Sequence, residues 1–197
     1  LECMLVKTGE RKHQILQTLA EMLEQPRAAR ITTAALAAKM QLSEAALYRH
    51  FASKAQMFEG LFEFIETTIF TLVNQIVASE PKGVEQARKI AVMLMTFSER
   101  NKGMTRVLCG DALVTEDERL QGRVTQITDR IDAVFRQSLR QALISGEINP
   151  TTEVTPLSAA LTHLVLGSWL RFAQSGWQAT PSTHMHAQLK LLLDQRG

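Results

Sequence analysis

The stretch from Arg30 to Met57, RITTAALAAKMQLSEAALYRHFASKAQM, constrains this chain more than any other. It encodes a helix, a tight turn and a second, short helix. Thr32 and Thr33 carry side-chain oxygens just ahead of a helical run, where either can accept from the unpaired amides of its first turn. Leu36 and Met40 stand one turn apart on a shared face, and Ala37 beside them is small enough for a second helix to approach closely. Gln41-Leu42-Ser43 form the turn, and Ser43 suits the N-cap of a helix over Glu44 to His50. A helix that short is unstable alone, so Leu42, Leu47 and Phe51 must hold it against the first. The outer face is then left with Glu44, Ala45, Tyr48 and Arg49, with His50 at its end.

Those residue types suit a DNA major groove. Ala45 permits close approach, Tyr48 can stack on sugar or donate to phosphate, Arg49 can reach a phosphate or a guanine edge, and Lys54 follows near the start of the next helix. An ordinary core hairpin gives no reason for Tyr48, Arg49, His50 and Lys54 to cluster. The run Thr32-x-x-x-Leu36-Ala37, then Leu42-Ser43 and Leu47-Tyr48-x-His50-Phe51-x-Ser53-Lys54, resembles the DNA-binding signature of the TetR family. That resemblance implies an all-α fold: a three-helix, helix-turn-helix DNA-binding domain over residues 1–52 and a helical dimerisation and partner-binding domain over 53–197. It also implies Thr33, Ser43, Ala45, Tyr48, Arg49, His50 and Lys54 as the DNA-binding set. Where the family has glycine in the turn, this chain has Gln41; a left-handed residue there costs roughly 1 kcal/mol.

The charge distribution agrees. Net charge is only +2, but residues 1–55 hold eight Lys or Arg against five acids, while the remainder is slightly acidic. The basic end is the end with the reading unit, as phosphate neutralisation requires. Residues 10–24 place Ile15, Leu19, Met22 and Leu23 on one stripe, giving a first helix that Gln25-Pro26 stops. Lys7, Arg11 and Lys12 form a loose basic arm, open to phosphate or simply solvated. Met4 reads as the natural first residue. Two cysteines, Cys3 and Cys109, make no disulfide framework, which points to a reducing cytoplasm. No apolar run approaches the ~20 residues of a membrane span, and no signal peptide precedes the first helix. The expectation is a soluble, cytoplasmic, nucleoid-associated protein.

Ser53 should cap a long helix from Lys54 to Ser79, ended by Pro81-Lys82-Gly83. Its apolar band is Phe58, Leu61, Phe62, Ile65, Ile69, Leu72, Val73 and Ile76, with Phe64 and Phe70 well off it. Helices then follow over Val84 to Arg100, Met104 to Leu113, Asp117 to Ile144, Glu153 to Trp177 and His184 to Gln195. Glu116, Asp117 and Glu118 suit the positive end of a helix dipole. In the penultimate helix Leu166 and Leu170 lie nearly opposite the main apolar side, and the last has a similar surplus that includes Leu189 and Leu192. These four residues are therefore expected in a four-helix bundle with a second copy, giving a homodimer that binds palindromic double-stranded DNA, with pairs of dimers on one site left open.

HExxH, CxxC and GxSxG are absent, so no enzymatic motif, metal or cofactor is expected; His184-Met185-His186 reads as an exposed helix start. Met93, Met95 and Met104 either line an effector cavity or fill core. The segments ITTAALAA, SEAALYRHF, SKAQMFEGLFEFIE, SERNKGMTRVLCGDAL and EDERLQGRVTQI resemble the nucleoid occlusion branch of the TetR family. That resemblance implies a dimer which, bound to chromosomal sites, blocks assembly of FtsZ, with Phe64, Arg100 and Asn101 at the partner surface. Leu72 and Thr96 stand where that branch has arginine and glycine. Phe64 could instead pack on the first helix. A ligand-released repressor, the commonest TetR role, is the alternative.

Overall fold

The structure, a computed structural model, describes residues 2–25, 31–113, 116 and 118–194, with side chains from residue 9 onward. Pro26, Arg30, Asp117 and Gln195, which carried expectations above, lie outside them. The described residues form nine α-helices: α1 Glu2–Leu23, α2 Thr33–Lys39, α3 Glu44–Tyr48, α4 Lys54–Ser79, α5 Gly83–Arg100, α6 Lys102–Leu108, α7 Arg119–Ile144, α8 Val154–Gln174 and α9 Met185–Leu193. A 3-10 turn, Asp111–Leu113, follows α6.

The first three helices make a head. Backbone helix begins at Glu2, so the segment holding Lys7 is ordered helix where a loose arm was expected. Thr32, rather than Thr33, caps α2, accepting from the Ala35 amide at 3.1 Å. Gln41 is indeed left-handed, at φ 55°, and the turn closes when the Leu42 amide donates to the Ala37 carbonyl at 2.9 Å. Ser43 accepts from the Ala46 amide at 3.2 Å and starts α3. That helix stops at Tyr48, two residues early, because the His50 and Phe51 amides both turn back to the Leu47 carbonyl. Leu36, Ala37, Leu47 and Phe51 are buried with Ile15 and Leu19 of α1 in one continuous core.

Ser53 starts α4 by accepting from the Gln56 amide, while the Gln56 side chain accepts from the Ala52 amide. This is a capping-box arrangement displaced by one residue. The buried seam of α4 differs from the single band expected. Near the head it faces α1, where Gly60 approaches Leu16. Further along, Phe70 is buried, its ring lying 3.7 Å from the Arg130 guanidinium of α7. Leu72 correspondingly turns outward, 36% exposed. The seam rotates because the helix changes neighbours along its length. Among the described residues α4 is the one helix long and apolar enough to cross a membrane, but Phe58, Leu61, Phe62, Ile65, Ile69 and Val73 are buried in the protein core.

The body packs around α5, which touches α4, α6, α7, α8 and α9. Asn101 alone separates α5 from α6, so α6 starts earlier than expected and ends at Leu108, before Gly110 at φ 76°. Gly103 lies so close to α1 that a Cβ there would stand 1.8 Å from the Ala20 carbonyl oxygen. Only glycine lets α6 seat on the head at that distance. Trp169 fills the body's centre with Phe135, and its indole N–H donates to the Leu94 carbonyl at 3.1 Å. Met95 is fully buried core, whereas Met104 is half-buried at the head–body seam. Burial pushes the Cys109 thiol up to about 12, so it is inert at neutral pH.

Candidate nucleic-acid interface

The residues expected to read DNA lie on two faces joined by a small polar network. The Thr33 hydroxyl of α2 donates to Glu44 Oε2 of α3 at 2.6 Å, and the Tyr48 hydroxyl donates to Thr33 Oγ1 at 3.4 Å. Ala45 and Arg49 are exposed beside them, and Tyr48 is 44% exposed. Ser43 uses its oxygen to hold α3, leaving its hydroxyl proton able to point outward. His50 is half-buried under the end of α3, with Nδ1 lacking a partner. The set is thus gathered by the turn, with Thr33 contributed from the first helix of the motif.

Lys54 is placed differently. Its ammonium pairs with Glu116 at 2.5 Å and lies 5.7 Å from the Phe58 ring centroid. Glu116 was expected at a helix dipole; instead it pairs with the first residue of α4, and α7 starts at Arg119 with no side-chain cap from Glu118. Sequence reasoning also missed the grip of the body on α1. The Trp177 indole N–H donates to the Glu24 carbonyl at 2.6 Å, and Arg106 Nη1 donates to the carbonyls of Leu23 and Gln25 at 3.3 and 3.1 Å. These are orphan carbonyls at the end of a helix. Trp177 adopts φ 70°, a strained conformation for a non-glycine residue, to make this contact.

A groove of about 420 Å³ opens at the same seam, lined by His13, Leu16, Gln17 and Ala20 of α1, Leu61 and Phe64 of α4, and Asn101, Gly103 and Met104. Phe64 is half-buried. It packs on the first helix, edge-on to His13 with ring centroids 5.4 Å apart, and still walls the groove. Asn101 is held by its side-chain amide donating to the Phe97 carbonyl at 2.8 Å. Arg100 is exposed at the end of α5, next to it in the chain.

On α8 and α9 the four leucines divide. Leu189 is fully buried within the protomer, facing inward with Met185 and Leu193, which corrects its expected place on a dimer face. Leu166 and Leu192 are half-buried, packed against the core. Leu170 is 41% exposed and Leu191 74% exposed. The inward turn follows from α9 crossing both α5 and α8, so its buried side is the one bearing residues 185, 189 and 193.

Residues 15–61 match the family model described as bacterial regulatory proteins, tetR family, and residues 82–196 match one described as a tetracyclin repressor-like C-terminal domain. Among solved structures, a TetR transcriptional regulator from Chloroflexus aurantiacus superposes with a TM-score of 0.80 at 20% identity, covering 96% of this chain and 97% of that one. The fatty acid degradation regulator FadR from Bacillus halodurans also gives 0.80, at 10% identity over 93% and 95%. Head, turn and helical body define a TetR-type regulator, a class that binds DNA and dimerises. The nucleoid occlusion factor SlmA of Marinomonas sp. (strain MWYL1) is 45% identical over 175 residues, 89% of each chain. That of Aliivibrio fischeri (strain MJ11) is 46% identical over 187 residues, 94% of this chain and 95% of its own. The chain belongs to the SlmA family of nucleoid occlusion factors, which are regulators rather than enzymes.

Proposed function

We propose that this protein reads palindromic DNA as a homodimer and, when bound on the nucleoid, antagonises FtsZ assembly. The observation that carries this reading is the position of the groove. Two of its walls are α1, which packs on α2, and α4, which follows α3 in the chain and meets Phe51 and Leu16 at Gly60, so a change in head angle is passed to the helix that bears Phe64. Aromatic and arginine side chains are common interface anchors, which suits Phe64 and Arg100. The competing repressor reading needs an effector cavity inside the body, and there Phe62, Phe135 and Trp169 are fully buried side chains.

Thr33, Ser43, Tyr48 and Lys54 hold phosphates in this scheme, while Ala45, Arg49 and His50 meet the groove. For Lys54 to do so it must leave Glu116. Leu170 and Leu166, with Leu191 added, form the dimer face, and Leu170→Asp should yield a monomer by light scattering at micromolar concentration. The decisive experiment is FtsZ sedimentation with the wild type, Phe64→Ala and Arg100→Asp, each with and without a duplex enriched from a random library. Loss of inhibition with DNA affinity intact is the expected result. Unchanged inhibition in both variants, or equal loss of DNA binding, would overturn the partner surface.

A further inference from the structure

The interface contains a carboxylate where a polyanion must dock. Glu44 is exposed at the start of α3, between Thr33 and the outward face of Ala45 and Tyr48. No Lys or Arg among the described residues pairs with it; its partner is the Thr33 hydroxyl at 2.6 Å. A hydroxyl has one proton. If Thr33 is to donate to a backbone phosphate, that proton must leave Glu44, and Tyr48, which donates to the same Thr33 oxygen, moves with it. Glu44 would then face the groove with an unpartnered charge, repelled by the neighbouring phosphates.

Within the major groove only adenine and cytosine offer donors, the N6 and N4 amino groups, while guanine and thymine present acceptors. Adenine sets its amino group beside the N7 acceptor, which opposes the second carboxylate oxygen; cytosine has no such neighbour on its edge. We propose that Glu44 is a specificity-determining residue that accepts from a cytosine N4 amino group, one in each half-site, and repels duplexes lacking it. The proposal rests on α3 being the DNA-reading helix. Its effect is discrimination: non-cognate DNA both fails to satisfy Glu44 and leaves Thr33 committed to it.

The test is selection from a duplex library with a randomised centre, using wild type, Glu44→Ala, Glu44→Gln and Thr33→Val, each first checked for a wild-type melting curve. Wild type should fix one cytosine per half-site. Replacing that base should weaken wild-type binding about tenfold, in line with a single good base contact. Glu44→Ala should lose the preference at that position only, Glu44→Gln should shift it to adenine, whose N6 and N7 match an amide, and both should bind the unselected library a few-fold more tightly. Thr33→Val should keep the preference while weakening all duplexes alike. The proposal is overturned if the cytosine persists in Glu44→Ala, which has no acceptor, or if Glu44→Ala and Thr33→Val give the same uniform loss, since Glu44 would then only position Thr33. An adenine in that position for wild type would overturn the choice of cytosine. Failure of wild type to enrich any sequence would overturn the DNA-reading assignment of α3 itself.

Discussion

The head and the body secure their helices by opposite means. In α2, α3 and α4 a hydroxyl side chain immediately ahead of the helix accepts from its own first turn: Thr32 from Ala35, Ser43 from Ala46 and Ser53 from Gln56. None of α5, α7, α8 or α9 has such a side-chain cap. The start of α5 is served from across the body, where the Gly83 and Val84 amides donate to the two oxygens of Glu147 at 3.1 and 3.0 Å. Length alone is not the reason, since the 26-residue α4 is capped and the seven-residue α6 is not. The helices α2 and α3 bury only Leu36, Ala37 and Leu47 and have too few internal bonds to persist without local help, whereas α6, equally short, is wedged against α1, α5 and α8. Helices of 18 to 26 residues with a buried seam are held by packing, and their ends settle where neighbours allow.

This contrast can be broken or sharpened by substitution. The largest effect should come from Gly103→Ala, which drives a methyl into the Ala20 backbone. A loss of about 3 kcal/mol in urea unfolding is expected, and a loss under about 1 kcal/mol would show that the head–body seam is looser than described. Next, Ser43→Ala should cost about 1 kcal/mol and weaken DNA binding through fraying of α3, read by melting and by hydrogen exchange of the Ala46 amide. Gln41→Gly relieves a left-handed residue, and a gain of about 0.5 kcal/mol is expected after the added freedom of the unfolded chain is subtracted. The smallest effect is Glu147→Gln, about 0.5 kcal/mol, because the amide side chain keeps one acceptor for α5. Burial opposes ionisation of Glu147, but the Val84 amide, the Ser145 hydroxyl and the Gly83 amide together hold its carboxyl below the usual range. A depressed carboxyl contributes stability above its unfolded value and loses it as pH falls through the folded one. The difference between wild type and Glu147→Gln should therefore be full near pH 7 and shrink below about pH 4.3, followed by thermal melts.

Local rules made the head legible in the sequence and left much of the body obscure. Ser53 and the Pro81-Lys82-Gly83 break gave both ends of α4 to the residue, and the hydroxyls at 32 and 43 located the reading helices. Leu72 and Phe70 were misplaced because a single stripe presumes one neighbour, and α4 has several. Leu189 was assigned outward for want of any sign that α9 crosses α5. Lys54 with Glu116, 62 residues apart, and Trp177 with Glu24, 153 apart, have no periodicity to betray them. What remained hidden in the site was its attachments, since ion pairs and carbonyl clamps depend on which chain segments the fold brings together.

The grip of Trp177 and Arg106 on the last turn of α1 gives that helix the mechanics of a lever with its fulcrum in the body. Its 22 residues make an arm ~33 Å long at 1.5 Å per residue. A tilt of only ~6° about the clamped end carries the far end through ~3.4 Å, the rise of one base pair along a strand. Ile15 and Leu19, on which the two short helices of the head are packed, lie within ~12 Å of that fulcrum, so the same tilt moves those helices by only about 1 Å. The far end of the arm swings freely while the head keeps its height over the body.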